Sequence, residues 1–121
     1  SGASAVFFTA TGGTPYERHV YRWADGEAAP TRLTTSPGVH VPAVSPDGRS
    51  LASIWSDDVT PPQLLVGEAR AGATLAPVTR PPSAFAGHAW VRPRYQTFRN
   101  AVHGVDVHAR ILEPSTLDRT R

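Results

Sequence analysis

The stretch Gly38-Val39-His40-Val41-Pro42-Ala43-Val44-Ser45-Pro46-Asp47-Gly48-Arg49-Ser50-Leu51-Ala52-Ser53-Ile54-Trp55-Ser56 reads as strand, turn, strand. Pro46 presets φ near −65° for the first corner of a tight turn, Asp47 can bond nearby backbone, and Gly48 can take positive φ. Beyond the turn, Leu51, Ser53 and Trp55 share one face of an extended segment and Ala52, Ile54 and Ser56 the other. Both faces carry apolar residues, so both are expected to be at least partly buried. The turn chemistry recurs in many β-proteins. It fixes a hairpin and serves as the anchor from which a repeat can be sought.

Working outward, short β-type runs alternate with Gly- and Pro-rich breaks. Ala5-Val6-Phe7-Phe8-Thr9-Ala10 and His19-Val20-Tyr21-Arg22-Trp23 are rich in branched and aromatic residues. Thr31-Arg32-Leu33-Thr34 is a brief strand before the anchor. Gln63-Leu64-Leu65-Val66-Gly67-Glu68 and Leu75-Ala76-Pro77-Val78-Thr79 follow it. Val6-to-Thr34 and Leu51-to-Thr79 share one order: strand, loop with Thr-Pro, strand, turn with Gly, then a short run ending in Thr. Their offset of about 45 residues is the period of a four-stranded propeller blade. In this reading Val39-to-Val44 is the innermost strand of the second blade, and the first blade would have its innermost strand before Ser1.

From Arg80 the texture changes. Pro81-Pro82-Ser83 and Ala84-to-Gly87 form a connector. Tyr95-Gln96-Thr97-Phe98-Arg99-Asn100 and Val105-to-Leu112 make a hairpin around His103-Gly104. Val105, Val107, Ala109 and Ile111 share one face, and Asp106, His108 and Arg110 the other. The first face is expected to be buried and the second wet.

Composition fits an all-β chain. The 121 residues include 12 prolines and 10 glycines, and no Pro-free window suits a long amphipathic helix. Net charge is +2, and every one of the 12 cationic residues counted with lysine is Arg. The arginines are scattered apart from Arg92, Arg94 and Arg99, so the clustered stripe that nucleic-acid binding needs is missing. The chain has no Cys, which excludes disulfides and thiolate metal sites and leaves the compartment open. No apolar run approaches the roughly 20 residues of a membrane span. With no Met in the chain, Ser1 is not a translation start, and the chain is expected to be a piece of something longer.

Residues able to carry chemistry do not assemble into a pattern. His19, His40 and His88 are isolated in sequence, and His103 and His108 are five apart on a hairpin, unlike a helical ligand pair. Their default is a surface or a satisfied core position. Asp57 and Asp58 are the adjacent carboxylates; a pair of this kind is more often a loop cap than a cation site. Ser45, Ser53 and Ser56 lack a Gly-x-Ser-x-Gly setting, and Gly12-Gly13 lacks the spacing of a phosphate loop. Trp23, Trp55, Trp90, Tyr16, Tyr21 and Tyr95 are expected in packing. No catalytic, substrate-binding, cofactor-binding or metal-binding residue is assigned, and no cofactor is called for.

The order of motifs carries a resemblance. Thr14-Pro15-Tyr16-Glu17-Arg18-His19-Val20-Tyr21, then Arg32-Leu33-Thr34, then Gly38-to-Asp58, then Thr60-Pro61-Pro62, is similar to the last part of the β-propeller in the prolyl oligopeptidase family, nearest to its dipeptidyl-peptidase IV branch. Tyr95-to-Pro114 resembles the hairpin that leads into the α/β-hydrolase domain of that family. The resemblance implies residues 1–93 as the last one to two blades of a propeller and 94–121 as the start of a hydrolase domain. It implies a serine peptidase releasing N-terminal dipeptides ending in Pro or Ala, with a Ser-His-Asp triad and an oxyanion site. It also implies that the propeller gates access to peptide substrate. The amine-binding acidic residues of the family belong to earlier blades, and its triad and oxyanion tyrosine follow the hairpin, so none maps onto this chain. The partners expected are the remaining chain of the parent or further copies of this one, with neither nucleic acid nor membrane. The alternative is a non-catalytic TolB-like propeller module that binds or scaffolds.

Overall fold

The computed structural model describes residues 4–118 and residue 120. The chain divides into two compact units, Ser1–Pro82 and Ser83–Arg121.

The first unit holds two antiparallel sheets. β1 (Ala5–Ala10), β2 (His19–Ala24) and β3 (Thr31–Arg32) form a three-stranded sheet in that order. β4 (Val39–Val44), β5 (Ser50–Ser56), β6 (Gln63–Glu68) and β7 (Ala76–Pro77) form a four-stranded one, also in chain order. The β1-β2-β3 meander corresponds to β5-β6-β7, and β4 is the additional strand of the second sheet. This is the repeat read from the Thr-Pro and Gly punctuation: all-β, with a complete four-stranded blade-like sheet and three strands of another.

The β4–β5 hairpin has the geometry that its turn residues dictate. Gly48 N–H donates to the Ser45 carbonyl (2.8 Å), closing a turn with Pro46 in its first corner, and Gly48 takes φ +71°. The Ser45 hydroxyl donates to Asp47 Oδ1 (2.5 Å), and the same oxygen accepts Arg49 N–H (3.1 Å). Ser50 N–H donates to Ser45 Oγ (2.9 Å), so the side chains at both ends of the turn satisfy backbone that the ladder leaves unpaired.

The two sheets of the first unit pack on a small core of Val20, Leu33, Leu51 and Ala69, with Phe7, Val44 and Leu75 against it. Alternation along each strand decides which side chains enter that core. On β5, Leu51 and Ser53 are buried and Trp55 half-buried, while Ile54 on the opposite face is 50 % exposed. The expectation that both faces would be buried therefore holds for one face of this sheet. Its other face sets Val39, Val41, Ile54 and Val66 in water, with Val41 58 % exposed. The outer side of the three-stranded sheet likewise exposes Val6 and Trp23, which are paired across β1 and β2.

The second unit begins with a single 3₁₀ turn, Ser83–Phe85, where the sequence had suggested only a connector. Phe85 stacks on Trp90 with centroids 5.3 Å apart. β8 (Arg94–Asn100) and β9 (Val105–Ile111) then pair in register from Arg94↔Ile111 to Asn100↔Val105. The Val105, Val107, Ala109, Ile111 face is not buried as the alternation predicted: Val105 and Val107 are exposed, and Ala109 and Ile111 half-buried. A lone two-stranded hairpin has no second layer of its own to cover an apolar face.

Candidate functional site

The most elaborate polar arrangement lies where β2 meets β4. Arg18 N–H donates to the Gly38 carbonyl (2.9 Å) and His40 N–H to the Arg18 carbonyl (3.0 Å), a parallel bridge that ties the two sheets of the first unit together. His19 and His40, the residues flanking this bridge, are both fully buried, with ring centroids 5.5 Å apart.

Each ring is held on both nitrogens. His40 Nε2–H donates to the Ser36 carbonyl (2.9 Å), since a carbonyl can only accept, and the Ser53 hydroxyl stands 3.1 Å from Nδ1. His19 Nε2 faces the Glu17 carboxylate at 2.8 Å, and Nδ1 lies 3.1 Å from Thr34 Oγ1, which also accepts Val20 N–H. The Arg32 guanidinium lies against the His19 ring, with Nη2 2.7 Å from Nε2, while its Nε donates to the Thr34 carbonyl. Burial holds His40 below the usual imidazole pKa, and the neighbouring His19 and Arg32 add to that effect. The hydrogen bond from His19 holds the Glu17 carboxyl below its ordinary range. Among the described residues no buried side-chain nitrogen or oxygen lacks a partner. This is a satisfied polar lock between the two sheets of the first unit.

The sequence marks His19 and His40 as isolated residues, on the surface or in satisfied core positions. They are satisfied, but they are not isolated: the parallel bridge brings them together, and Glu17 supplies the neighbouring carboxylate. Glu17, two residues before His19 and just ahead of β2, is the one signal in the sequence, a carboxylate close enough along the chain to reach the ring.

The other sequence candidates are dispersed. Asp57 Oδ1 accepts the N–H groups of Val59 (3.0 Å) and Thr60 (2.6 Å), shaping the loop after β5 in the manner expected of a cap. His108 lies beside Thr97 across the hairpin, with Nδ1 3.0 Å from Oγ1. His88 Nδ1 lies 2.9 Å from the Ala84 carbonyl. Arg94 pairs with Glu113 and Arg99 with Asp106 (2.9 Å), so these two arginines of the candidate basic cluster face carboxylates. Among the described residues no group of three His, Asp or Glu side chains could hold a metal ion, and no helix is long and apolar enough to cross a membrane.

Antiparallel blade-like sheets stacked through a small core, with apolar outer faces, define a chain of the β-propeller class. The family model of the dipeptidyl peptidase IV (DPP IV) N-terminal region matches residues 2–62, from before β1 to the loop after β5, and the chain belongs to that family. No curated protein matches the chain.

Proposed function

We propose that this chain is the closing part of the propeller of a dipeptidyl-peptidase-like serine peptidase of the prolyl oligopeptidase type. Residues 1–93 would form the last blades and 94–121 the hairpin leading into an α/β-hydrolase domain. The parent protein releases N-terminal dipeptides ending in Pro or Ala. Its propeller restricts access to the catalytic chamber, and earlier blades supply carboxylates for the substrate amine. The triad attacks the scissile carbonyl, with His as general base and backbone donors holding the oxyanion. The residues of the present chain build the wall of the chamber and take no part in bond breaking.

The observation that carries this reading is the family match over residues 2–62, on a chain whose architecture then changes from propeller-like sheets to a separate hairpin. The test is hydrolysis of Xaa-Pro and Xaa-Ala anilides by the complete product of the gene, with a serine-directed phosphonate as inhibitor. The reading expects phosphonate-sensitive release of the dipeptide from substrates with a free N-terminus and none from N-blocked ones. A complete product that folds and is inert towards both supports the non-catalytic propeller instead.

A further inference from the structure

The chain contains Asp-Gly twice, at Asp25-Gly26 between β2 and β3 and at Asp47-Gly48 between β4 and β5. In this pair the side-chain carboxyl carbon is open to attack by the next amide nitrogen, because glycine adds no Cβ and leaves the backbone free to rotate. The fold treats the two sites differently.

At the second site both reacting groups are engaged. Asp47 Oδ1 accepts the Ser45 hydroxyl (2.5 Å) and Arg49 N–H (3.1 Å), and Gly48 N–H donates to the Ser45 carbonyl (2.8 Å). The nitrogen can attack only after giving up the proton that holds this turn closed. At the first site the turn is closed one residue later, by Glu27 N–H to the Ala24 carbonyl (3.1 Å), with Gly26 at φ +85°. Asp25 and Gly26 are both exposed. Among the described residues neither the Asp25 carboxylate nor the Gly26 amide N–H has a hydrogen-bond partner.

We propose that Asp25 is a site of spontaneous succinimide formation and conversion to isoaspartate, and that the Ser45–Arg49 turn protects Asp47 from the same reaction. Gly26 N attacks Asp25 Cγ. The N–Cγ bond forms, a Cγ–O bond breaks, and the amide proton with the protonated carboxyl oxygen leaves as one water. Water then adds to the imide. Opening at Cγ restores aspartate. Opening at the α-carbonyl routes the main chain through the side chain and frees the α-carboxylate, with no net change in mass.

The product inserts one methylene into the β2–β3 connection, beside a close network. Glu27 Oε2 accepts Ala24 N–H (2.8 Å), Glu27 Oε1 accepts Arg22 (2.8 Å), and the Trp23 indole N–H donates to the Glu27 carbonyl (2.8 Å). Lengthening the chain between Ala24 and Glu27 breaks this network, so Trp23 emission reports the conversion.

The test incubates the purified protein at neutral pH in heavy-oxygen water, folded in one sample and in concentrated urea in another. The two Asp-Gly peptides are then separated, and isoaspartate is located by fragmentation. Label and isoaspartate are expected to accumulate at Asp25 several-fold faster than at Asp47 in the folded protein, and at similar rates in urea. Asp25→Glu, whose imide would need a larger ring, is expected to abolish the signal at residue 25 and the drift in Trp23 emission. Equal accumulation at both sites in the folded protein, faster reaction at Asp47, or a preference for Asp25 that survives unchanged in urea would each overturn the proposal.

Discussion

The rings of His19 and His40 stand 5.5 Å apart, both shut off from solvent, on either side of the backbone bridge that joins β2 to β4. Hydrogen bonds fix both rings, and the Arg32 guanidinium already lies against His19. A proton on His40 would therefore bring a further positive charge into a closed site facing His19 and Arg32, with Glu17 as the nearby carboxylate.

This makes stability depend on pH with a definite sign. His40 is held below its ordinary 6.5, so the unfolded chain binds the proton more readily than the folded one. Its contribution is fully present above 6.5 and is lost as pH falls through that value towards the lowered folded pKa. Glu17, held below its ordinary 4.5, adds a second loss in the same direction as pH falls through 4.5. Urea midpoints taken from mildly alkaline to mildly acidic pH should decline, and His40→Gln should flatten the step near 6.5 while leaving the lower one. A midpoint that rises on acidification contradicts the assignment.

Leu51 is wholly buried at the centre of the core with Val20, Leu33 and Ala69. Leu51→Ala removes its methyl groups and leaves a cavity that two hydrogen-bonded sheets cannot readily close, at a cost of about 2–5 kcal/mol. Such a loss is a large part of the stability of a small domain. Ile54→Ala, three residues along and half in water, should cost less than half as much in the same urea titration.

Gly38 and Gly72 separate backbone strain from crowding. Both have positive φ, +125° and +75°. A Cβ at Gly38 would run into the Ser56 carbonyl and lie 3.0 Å from the Trp55 indole nitrogen, whereas one at Gly72 would meet nothing within 4 Å. Gly72→Ala should cost about 1–2 kcal/mol, the penalty of a left-handed alanine. Gly38→Ala should cost clearly more and weaken the Trp55 bond to the Pro37 carbonyl, which is 2.9 Å long. Thermal melts of the two variants, with Trp emission as a second readout, decide between equal and unequal effects.

The strands were legible because their punctuation is chemical. Pro46, Asp47 and Gly48 demand their turn, and Gly26 and Gly72 each adopt the positive φ their turns require. The third strands are shorter than their sequence suggests, two residues each. Thr31–Thr34 shrank to Thr31–Arg32 because the Thr34 side chain turns back to cap Val20 N–H (3.0 Å). The histidine pair was beyond the reach of periodicity, since it depends on a bridge between residues Arg18 and Val39, far apart in the chain. The apolar β8–β9 face stays largely open, because alternation reports which side is apolar and says nothing of what covers it.

The apolar outer face of the four-stranded sheet carries a prediction of its own. Val39, Val41, Ile54 and Val66 are all exposed there. Contiguous exposed side chains of this kind drive association. The isolated chain should therefore self-associate at micromolar concentration, as seen by light scattering or sedimentation. Val41→Lys with Ile54→Lys should reduce that association while shifting the urea midpoint little, because neither side chain is in the core. An isolated chain that stays monomeric at that concentration, or a double-lysine variant that associates as strongly as the parent sequence, would contradict the prediction.

The central claim is that this chain is the propeller wall of a dipeptidyl-peptidase-like serine peptidase, and it is tested most directly by reading the gene beyond the codon for Arg121. The account predicts a Gly-x-Ser-x-Gly nucleophile elbow roughly a hundred or more residues downstream, followed by Asp and then His in the order of the α/β-hydrolase triad. A reading frame that continues only into further blade-length repeats, with no such elbow, would contradict it.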